Sequence, residues 1–338
     1  MSGTMAEGGP AGNGPAGGAR APWVVALGDL VLDLNASVPQ SIRKAHDNPG
    51  LVLANPGGSA ANFAAWTARL GVPVRFLARV GEDTLGDALV ADLARDGVQV
   101  VAVRDPERPT AVILLWVDEN GERSMVISPG ANHALTAGDV PDSLTDGARL
   151  LHLSGYAYFW EQPRTAAQRA VAMARKQGLW LSLDPSSGHL MERHGIDAFW
   201  RDAETAHILL PNLDEGRALT GESEAERVLE ALAGRFPLVA LKLGPEGALL
   251  ASGDIRLQVP ADTVQAVDTT GAGDAWAAAF LATLLRSAWR GPGLPPQPTR
   301  EQMEEAARAG NRLAAWVVTR KGARPRPAPG RPQEGRQE

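Results

Sequence analysis

From Arg149 onward the chain keeps a regular beat. Short apolar runs, Leu150 to Ser154, Leu179 to Asp184, His207 to Pro211 and Leu238 to Gly244, alternate with helical stretches, among them Arg164 to Gln177 and Ser223 to Gly234. Strands buried on both faces read as continuous apolar runs, and strands that alternate with helices form a parallel sheet covered on both sides. Few folds satisfy that pattern. The expected class is α/β: a doubly wound, mostly parallel sheet with helices on both faces. Ser223 and Glu226 stand in capping-box spacing, as do Thr299 and Gln302 before a last helix, Arg300 to Thr319. Leu249 to Ala251 and Ile255 to Val259 read as a hairpin around Gly253-Asp254.

The first half breaks the beat. Trp23 to Leu27 and Val74 to Ala78 are short strands, Thr84 to Arg95 is a helix, and Val98 to Val103 is a further strand. Extended runs at Leu32 to Val38 and Leu51 to Asn55, and a pair at Thr110 to Asp118 and Arg123 to Ser128, do not belong to the rhythm. Glu119-Asn120-Gly121 between the last two is a strong hairpin signal. These four runs, spanning about 32–55 and 110–128, are expected to form a small sheet apart from the main one, as a lid.

The 338 residues, 44% of them hydrophobic, can bury a large core. Met1 to Ala21 is mostly Gly, Ala and Pro and is expected to be disordered, and Ala323 to Glu338, rich in Pro, Arg and Gly, is expected to be loose. One domain over 22–322 remains. A net charge of −6 offers no basic field to nucleic acid. Without cysteine there are no disulfides and no thiolate metal sites, and His133, His152 and His194 lack zinc-ligand spacing. With no secretory segment and no 18-residue apolar run, a soluble, cytoplasmic protein without membrane contact is expected. Gly12-Asn13-Gly14-Pro15-Ala16-Gly17 fits a dinucleotide fingerprint but follows no strand and opens no helix, so it is rejected.

Val267 to Ala279 reads V-D-T-T-G-A-G-D-A-W-A-A-A. Gly271 and Gly273 allow a sharp turn, and the apolar run after Asp274 is a buried helix. Its start offers unpaired N–H groups and the positive end of a dipole, which suits an anion. Either this is a well-capped helix after a glycine turn, or a phosphate cradle with a base beside it. Asn55 to Asn62 repeats the device: Gly57-Gly58 opens another helix, with Asn62 in its first turns. Asp29, Asp184, Asn212 with Glu215, Lys242 and the 268–274 turn all lie at carboxyl ends of strands, so one cleft should gather them. Asp29 and Asp33 could accept hydroxyl hydrogen bonds or be ordinary turn carboxylates. Few carboxylates suit Mg²⁺, which keeps several waters, and glycine-backed N–H groups suit phosphate. The combination points to phosphoryl transfer.

Asp268-Thr269-Thr270-Gly271-Ala272-Gly273-Asp274 matches the D-T-x-G-A-G-D signature, and from about residue 22 to 323 the chain resembles the ribokinase-like (PfkB) family of small-molecule kinases. The resemblance implies ATP and Mg²⁺ as cofactors, Asp274 as general base, and an anion hole from Gly271, Ala272 and Gly273. It places Gly57, Gly58 and Asn62 on the sugar side, where Asp29, Asp33 and Asn132 are further candidates. Asn212-Leu213-Asp214-Glu215 fits the N-x-x-E element that organises Mg²⁺ through water. Lys242, Gly244 and Gly247 match a K-x-G-x-x-G turn near the nucleotide, with Thr269 beside it, and Asn311 falls where the family lines the adenine pocket. Asp268 and Thr270 occupy a turn that binds a monovalent cation, K⁺, in some members. The family's lid is a small β-sheet, which in some relatives is also a homodimer interface.

Two departures bear on substrate. Ser59 stands where the ribokinase subgroup carries a sugar-contacting Lys, and Asp184-Pro185-Ser186-Ser187-Gly188 replaces the D-x-N-x-R of some sugar-acid kinases. Tyr156, Tyr158, Phe159 and Trp160 follow a strand end and either pack in the core or stack on a ligand. The expected activity is an ATP-dependent sugar kinase. The alternatives are a nucleoside kinase of the same fold and a catalytically silent binding protein. At a helix N-terminus the dipole favours the charged carboxylate, so Asp274 is expected to be a weak base.

Overall fold

The computed structural model describes residues 23–37, 45–117, 123–289 and 297–326. The first half contains β1 (Val24–Leu27), β2 (Val31–Ser37), β3 (Leu51–Gly57), α1 (Ser59–Arg69), β4 (Val74–Gly81), α2 (Thr84–Arg95), β5 (Gln99–Asp105), β6 (Ala111–Val117) and β7 (Arg123–Ser128). After it come β8 (Leu150–Ser154), α3 (Glu161–Lys176), β9 (Trp180–Asp184), α4 (Gly188–His194), α5 (Ile196–Ala203), β10 (Ile208–Leu209), α6 (Leu213–Thr220) and α7 (Ala225–Ala233). The chain closes with β11 (Leu238–Lys242), β12 (Ala248–Ser252), β13 (Ile255–Val259), α8 (Ala272–Ala288) and α9 (Arg300–Val318).

Nine strands form the main sheet in the order β13-β12-β11-β10-β9-β8-β1-β4-β5. All neighbours pair parallel except β11 with β12 and β12 with β13, the hairpin at one edge. From β1 the chain builds outward to β4 and β5, then returns to the other side of β1 with β8. That reversal is a topological switch point, and a crevice opens there beyond the strand ends. The strands are buried on both faces because each side carries its own core. One contains Phe63, Phe76, Phe280 and the helices α1, α8 and α9, the other Phe199, Leu144, Leu151 and the helices α3 to α7.

The four strands outside the rhythm form a separate sheet, β3-β2-β6-β7, as the sequence indicates. Its central pair, β2 and β6, is parallel although the residues come from distant segments. Only Gly28, Asp29 and Leu30 separate β2 from β1, so the lid is anchored where the crevice begins.

Two expectations need correction. The box read at Ser223 and Glu226 does not form: α7 starts at Ala225 with Glu224 as an N-cap without a side-chain bond. The left-handed turn at Gly221 and an Arg217 bond to the Ser223 carbonyl hold that segment outside the helix. Boxes form instead at Thr299–Gln302, as read, and at Asn212–Glu215 and Thr136–Asp139. The loose tail does not begin at Ala323, because Ala323 and Arg324 are buried against α1. Gly12 to Gly17, the Glu119-Asn120-Gly121 apex and both chain ends, 1–22 and 327–338, lie outside the described residues.

Candidate active site

Helix α8 begins after Gly271, whose φ of +73° is left-handed and whose Cβ, if present, would lie 2.5 Å from the Cβ of Ala323. A side chain fits neither the conformation nor the space, so Gly271, Ala272 and Gly273 bring a bare backbone to the helix start. Asp274 follows in the first turn and is clamped by α1. Ser59 Oγ donates to one carboxylate oxygen at 2.7 Å and Asn62 Nδ2 to the other at 2.9 Å. Burial pushes the Asp274 carboxyl up to about 7, against the two hydrogen bonds and Lys242 and with help from Asp184. The weak base expected from the helix dipole is therefore overturned, because desolvation outweighs the dipole. Asn62 Oδ1 is buried without a partner, an acceptor that a hydroxyl could satisfy.

Asp29 lies just past β1 and caps α1 from a distance. Its carboxylate accepts from Ser59 N at 2.9 Å and Ala60 N at 3.4 Å, replacing the side-chain cap that Gly58 lacks. Gly58 has a φ of +98°, and a Cβ there would be 2.3 Å from the Asp29 carbonyl. At Gly57 a Cβ would be 2.0 Å from Asp33 Oδ2, so only a bare backbone can lie against that carboxylate. Burial and then the neighbouring Asp29 raise Asp33 to about 6, with Arg324 pulling the other way. Burial raises Asp29 as well. Asn132 does not reach a ligand through free groups: its amide bonds both backbone groups of Leu30, at 3.4 and 3.3 Å, and holds the loop beside Asp29.

On the other side of Asp274, Lys242 at the end of β11 donates to Asp184 at the end of β9 at 2.5 Å. Its Nζ lies 3.4 Å from where a Cβ on Gly273 would be, so an ammonium sits directly beneath the helix start. Asn212 and Glu215 form a capping box: the Glu215 carboxylate accepts from Asn212 N and Nδ2, and Asn212 Oδ1 accepts from Glu215 N. Burial and the nearby Asp184 raise the Glu215 carboxyl while Lys242 opposes them. Gly247 (φ +95°) lies so close to Val259 that a Cβ would be 2.1 Å from its carbonyl oxygen, whereas Gly244 (φ +59°) faces open space. Thr269 is exposed at the turn before α8. Asp268 accepts from Thr270 N, Thr270 Oγ1 and Gly322 N. Between this turn and lid strands β2 and β3 lies a cavity of about 190 Å³ that Asn35, Asn55, Asp268, Thr270 and Lys321 help to line.

Asn311, which the resemblance puts beside the adenine pocket, lies in α9. Its amide is spent inside the fold, accepting from Trp276 Nε1 at 2.8 Å and donating to the Val259 and Pro260 carbonyls. It ties α9 to α8 and β13 and presents no free group to a base. Reading the sequence put Asp184 in the cleft and Ser59 at the first glycine-rich turn, but missed their contacts, Asp184 with Lys242 and Ser59 with Asp274. A hydroxyl directly after two glycines at a helix start was the available signal for Ser59. The aromatic run divides: Tyr158 is core, Trp160 lies against His133, and Tyr156 is half-buried, its phenol pushed up by burial first and then by Asp29, Asp274, Glu215 and Asp184. Among the described residues no group of three or more His, Asp or Glu side chains could hold a metal unaided.

The cleft thus joins a carboxylate that titrates near neutrality, a side-chain-free helix start with an ammonium under it, and an acceptor face rich in carboxylates. Many known proteins are similar to this chain in sequence or in overall structure. Fructokinase-1 of Oryza sativa subsp. japonica is 31% identical over 320 residues, which cover 90% of this chain and 94% of that one. The crystal structure of adenosine kinase from Sinorhizobium meliloti superposes with a TM-score of 0.78 at 28% identity, covering 90% of this chain and 96% of that chain. Fructokinase from Vibrio cholerae O395, in its fructose, ADP and calcium ion bound form, gives 0.75 at 27% identity and covers 90% and 94%. A family model described as pfkB family carbohydrate kinase matches residues 22–329, and the chain belongs to that family of sugar kinases.

Proposed function

We propose that this kinase transfers the γ-phosphoryl group of ATP to a hydroxyl of a neutral sugar, with Asp274 as general base. The observation that carries this reading is the Asp274 carboxylate, held at both oxygens from α1 and raised to about 7 at the start of α8. A base titrating near the working pH is partly unprotonated and still basic enough to take a hydroxyl proton. The glycine-backed helix start fits a phosphate, and Lys242 adds a positive charge beneath it. Glu215, a single buried carboxylate, fits Mg²⁺ held through water better than direct ligation by a carboxylate cage. Bound Mg²⁺·ATP supplies the phosphoryl group and offsets charge on its oxygens. The chain's own part is to orient the acceptor hydroxyl at Asp274 Oδ, to accept its proton there, and to meet the growing charge with the N–H groups of 271–273.

The acceptor side favours a neutral polyol. Asp29, Asp33 and Asp274 are acceptors for hydroxyls and would repel a sugar acid or a sugar phosphate. Fructose is the first candidate because fructokinases are among the relatives. A nucleoside is the second reading, favoured by half-buried Tyr156 in the cleft and by the likeness to an adenosine kinase. The deciding experiment is ADP release with Mg²⁺·ATP across neutral sugars, sugar acids, sugar phosphates and nucleosides. Turnover confined to neutral sugars is expected. Turnover confined to acids or phosphates would overturn the reading, and silence across the panel would leave the binding-protein alternative. Repeating it in Na⁺ and K⁺ buffers tests a potassium ion beside the Asp268–Thr270 turn.

The same reading includes a cytoplasmic location and a homodimer through the lid. Leu51, Val52, Met125, Val126 and Ile127 on the outer strands β3 and β7 are more than half exposed, an apolar face that a second copy would cover.

A further inference from the structure

Past α9 the chain returns to the active site and crosses beneath it. Gly322 N binds the Asp268 carboxylate at 2.8 Å, Ala323 fills the space that Gly271 leaves, and the Ala323 carbonyl accepts from Trp66 Nε1 of α1 at 3.0 Å. Arg69 donates to the carbonyls of Arg324 and Pro325, and Arg326 pairs with Asp92 and Asp96 of α2. The Arg324 side chain is 2% exposed, yet it is poorly matched. Its Nη2 reaches the Gly57 carbonyl at 3.4 Å, its Nη1 stands 3.7 Å from Asp92, and neither Nε nor Nη1 has a hydrogen-bond partner. A buried cation so poorly satisfied costs stability and needs a reason.

We propose that Arg324 is a positioning residue for the acceptor: from behind, it holds the Gly57 carbonyl and so sets the Gly57–Gly58 loop and the Asp33 carboxylate that lies against it. The proposal rests on the reading that Asp33 and Gly57 face the sugar. Asp33 on β2 touches Gly57 from the cleft side, and Arg324 touches Gly57 from the core side. The charged groups around them are Asp29 beyond β1, Arg69 on α1, and Asp92 and Asp96 on α2. Burial brings the guanidinium down to about 10, so it stays positive at neutral pH and favours the ionised form of Asp33. Arg324 thereby does two separable things, one by geometry and one by charge.

Arg324→Met and Arg324→Lys separate them. Exchanging a buried, ill-paired cation for an apolar chain of similar volume is often neutral for stability, so the Met variant should fold. Three readouts are taken: kinetics toward fructose and ATP, the pH profile of the fructose KM, and amide hydrogen exchange over residues 55–60 and 271–275. In Arg324→Met the fructose KM should rise about tenfold, as for loss of one charge-assisted hydrogen bond, with the ATP KM nearly constant. Exchange over 55–60 should quicken while 271–275 stays protected. Without the positive charge Asp33 protonates at higher pH, so the acid limb of the KM profile should move upward in Arg324→Met and stay in place in Arg324→Lys. Unchanged exchange at 55–60 would overturn the proposal, as would a lowered melting temperature with KM and pH limb unmoved. If wild-type protein phosphorylates no neutral sugar, the acceptor reading fails on its own, and the exchange comparison still decides whether Arg324 holds the loop.

Discussion

Both oxygens of Asp274 are occupied by α1, and this decides how its acidity should respond to mutation. Ser59 and Asn62 donate to the charged form and so lower a pKa that burial has raised. Ser59→Ala removes one donor, so the acid limb of kcat should move to higher pH, and kcat at pH 7 should fall. A pH–rate profile of that variant checks the sign, and a downward shift would contradict the clamp. Asp274→Asn should lower kcat by about 10²- to 10⁴-fold while nucleotide still raises the melting temperature, since only the proton acceptor is lost. The D-T-x-G-A-G-D motif made Asp274 legible in the sequence. Its raised pKa was not, because burial by α1 comes from a segment 212 residues away. For Asn311 the place in the last helix was legible, but the tryptophan and two carbonyls that take up its amide were not.

Among the elements, those with long or clean periodicity were read to within about three residues at each end. Strands β7, β8 and β13 and helix α2 match their expected bounds. Helices α4, α5 and α6 went unread because seven or eight residues carry too little period to distinguish from a loop. The close approach of α8 and α9 also depends on a residue that only the structure explains. A Cβ on Gly310 would lie 2.7 Å from the Trp276 ring, so this helix-interior glycine is there for contact. Gly310→Ala should cost about 1–3 kcal/mol by overpacking, despite the better helix propensity of alanine. Urea unfolding measures it, and a more stable variant would show that Trp276 can move aside. The lid was legible as four strands outside the rhythm, but the parallel pairing of β2 with β6 was not, since no hairpin turn announces it.

For the whole molecule, Asp29, Asp33, Glu215 and Asp274 are all raised above their unfolded values of about 4. Between about pH 4 and 7 these carboxyls hold more protons in the folded chain than in the unfolded one, and their contribution to stability falls as pH rises through that window. Asp105, lowered to about 2, acts in the opposite sense at more acid pH, and so do His152, lowered to about 3 by burial and Lys242, and His133 and His207, lowered chiefly by burial, up to the unfolded histidine value of about 6.5. Above about pH 6.5 the raised carboxyls act alone, so the melting temperature of the ligand-free protein should drop from pH 6.5 to pH 8, and Asp274→Asn should flatten the slope. A flat wild-type profile would mean that these carboxyls are less buried in solution. If the lid pairs two copies, sedimentation equilibrium should find a dimer that Val126→Glu converts to monomer. The strap at 322–326 has a consequence for synthesis. A ribosome makes Asn62 early and Asp274 212 residues later, and Trp66 waits 257 residues for its partner in the strap. A nascent chain therefore carries the Gly57–Gly58 loop without the helix start at Gly271 for most of translation. The two sides of the candidate site can therefore meet as they do in the folded chain only after residue 323 has been made.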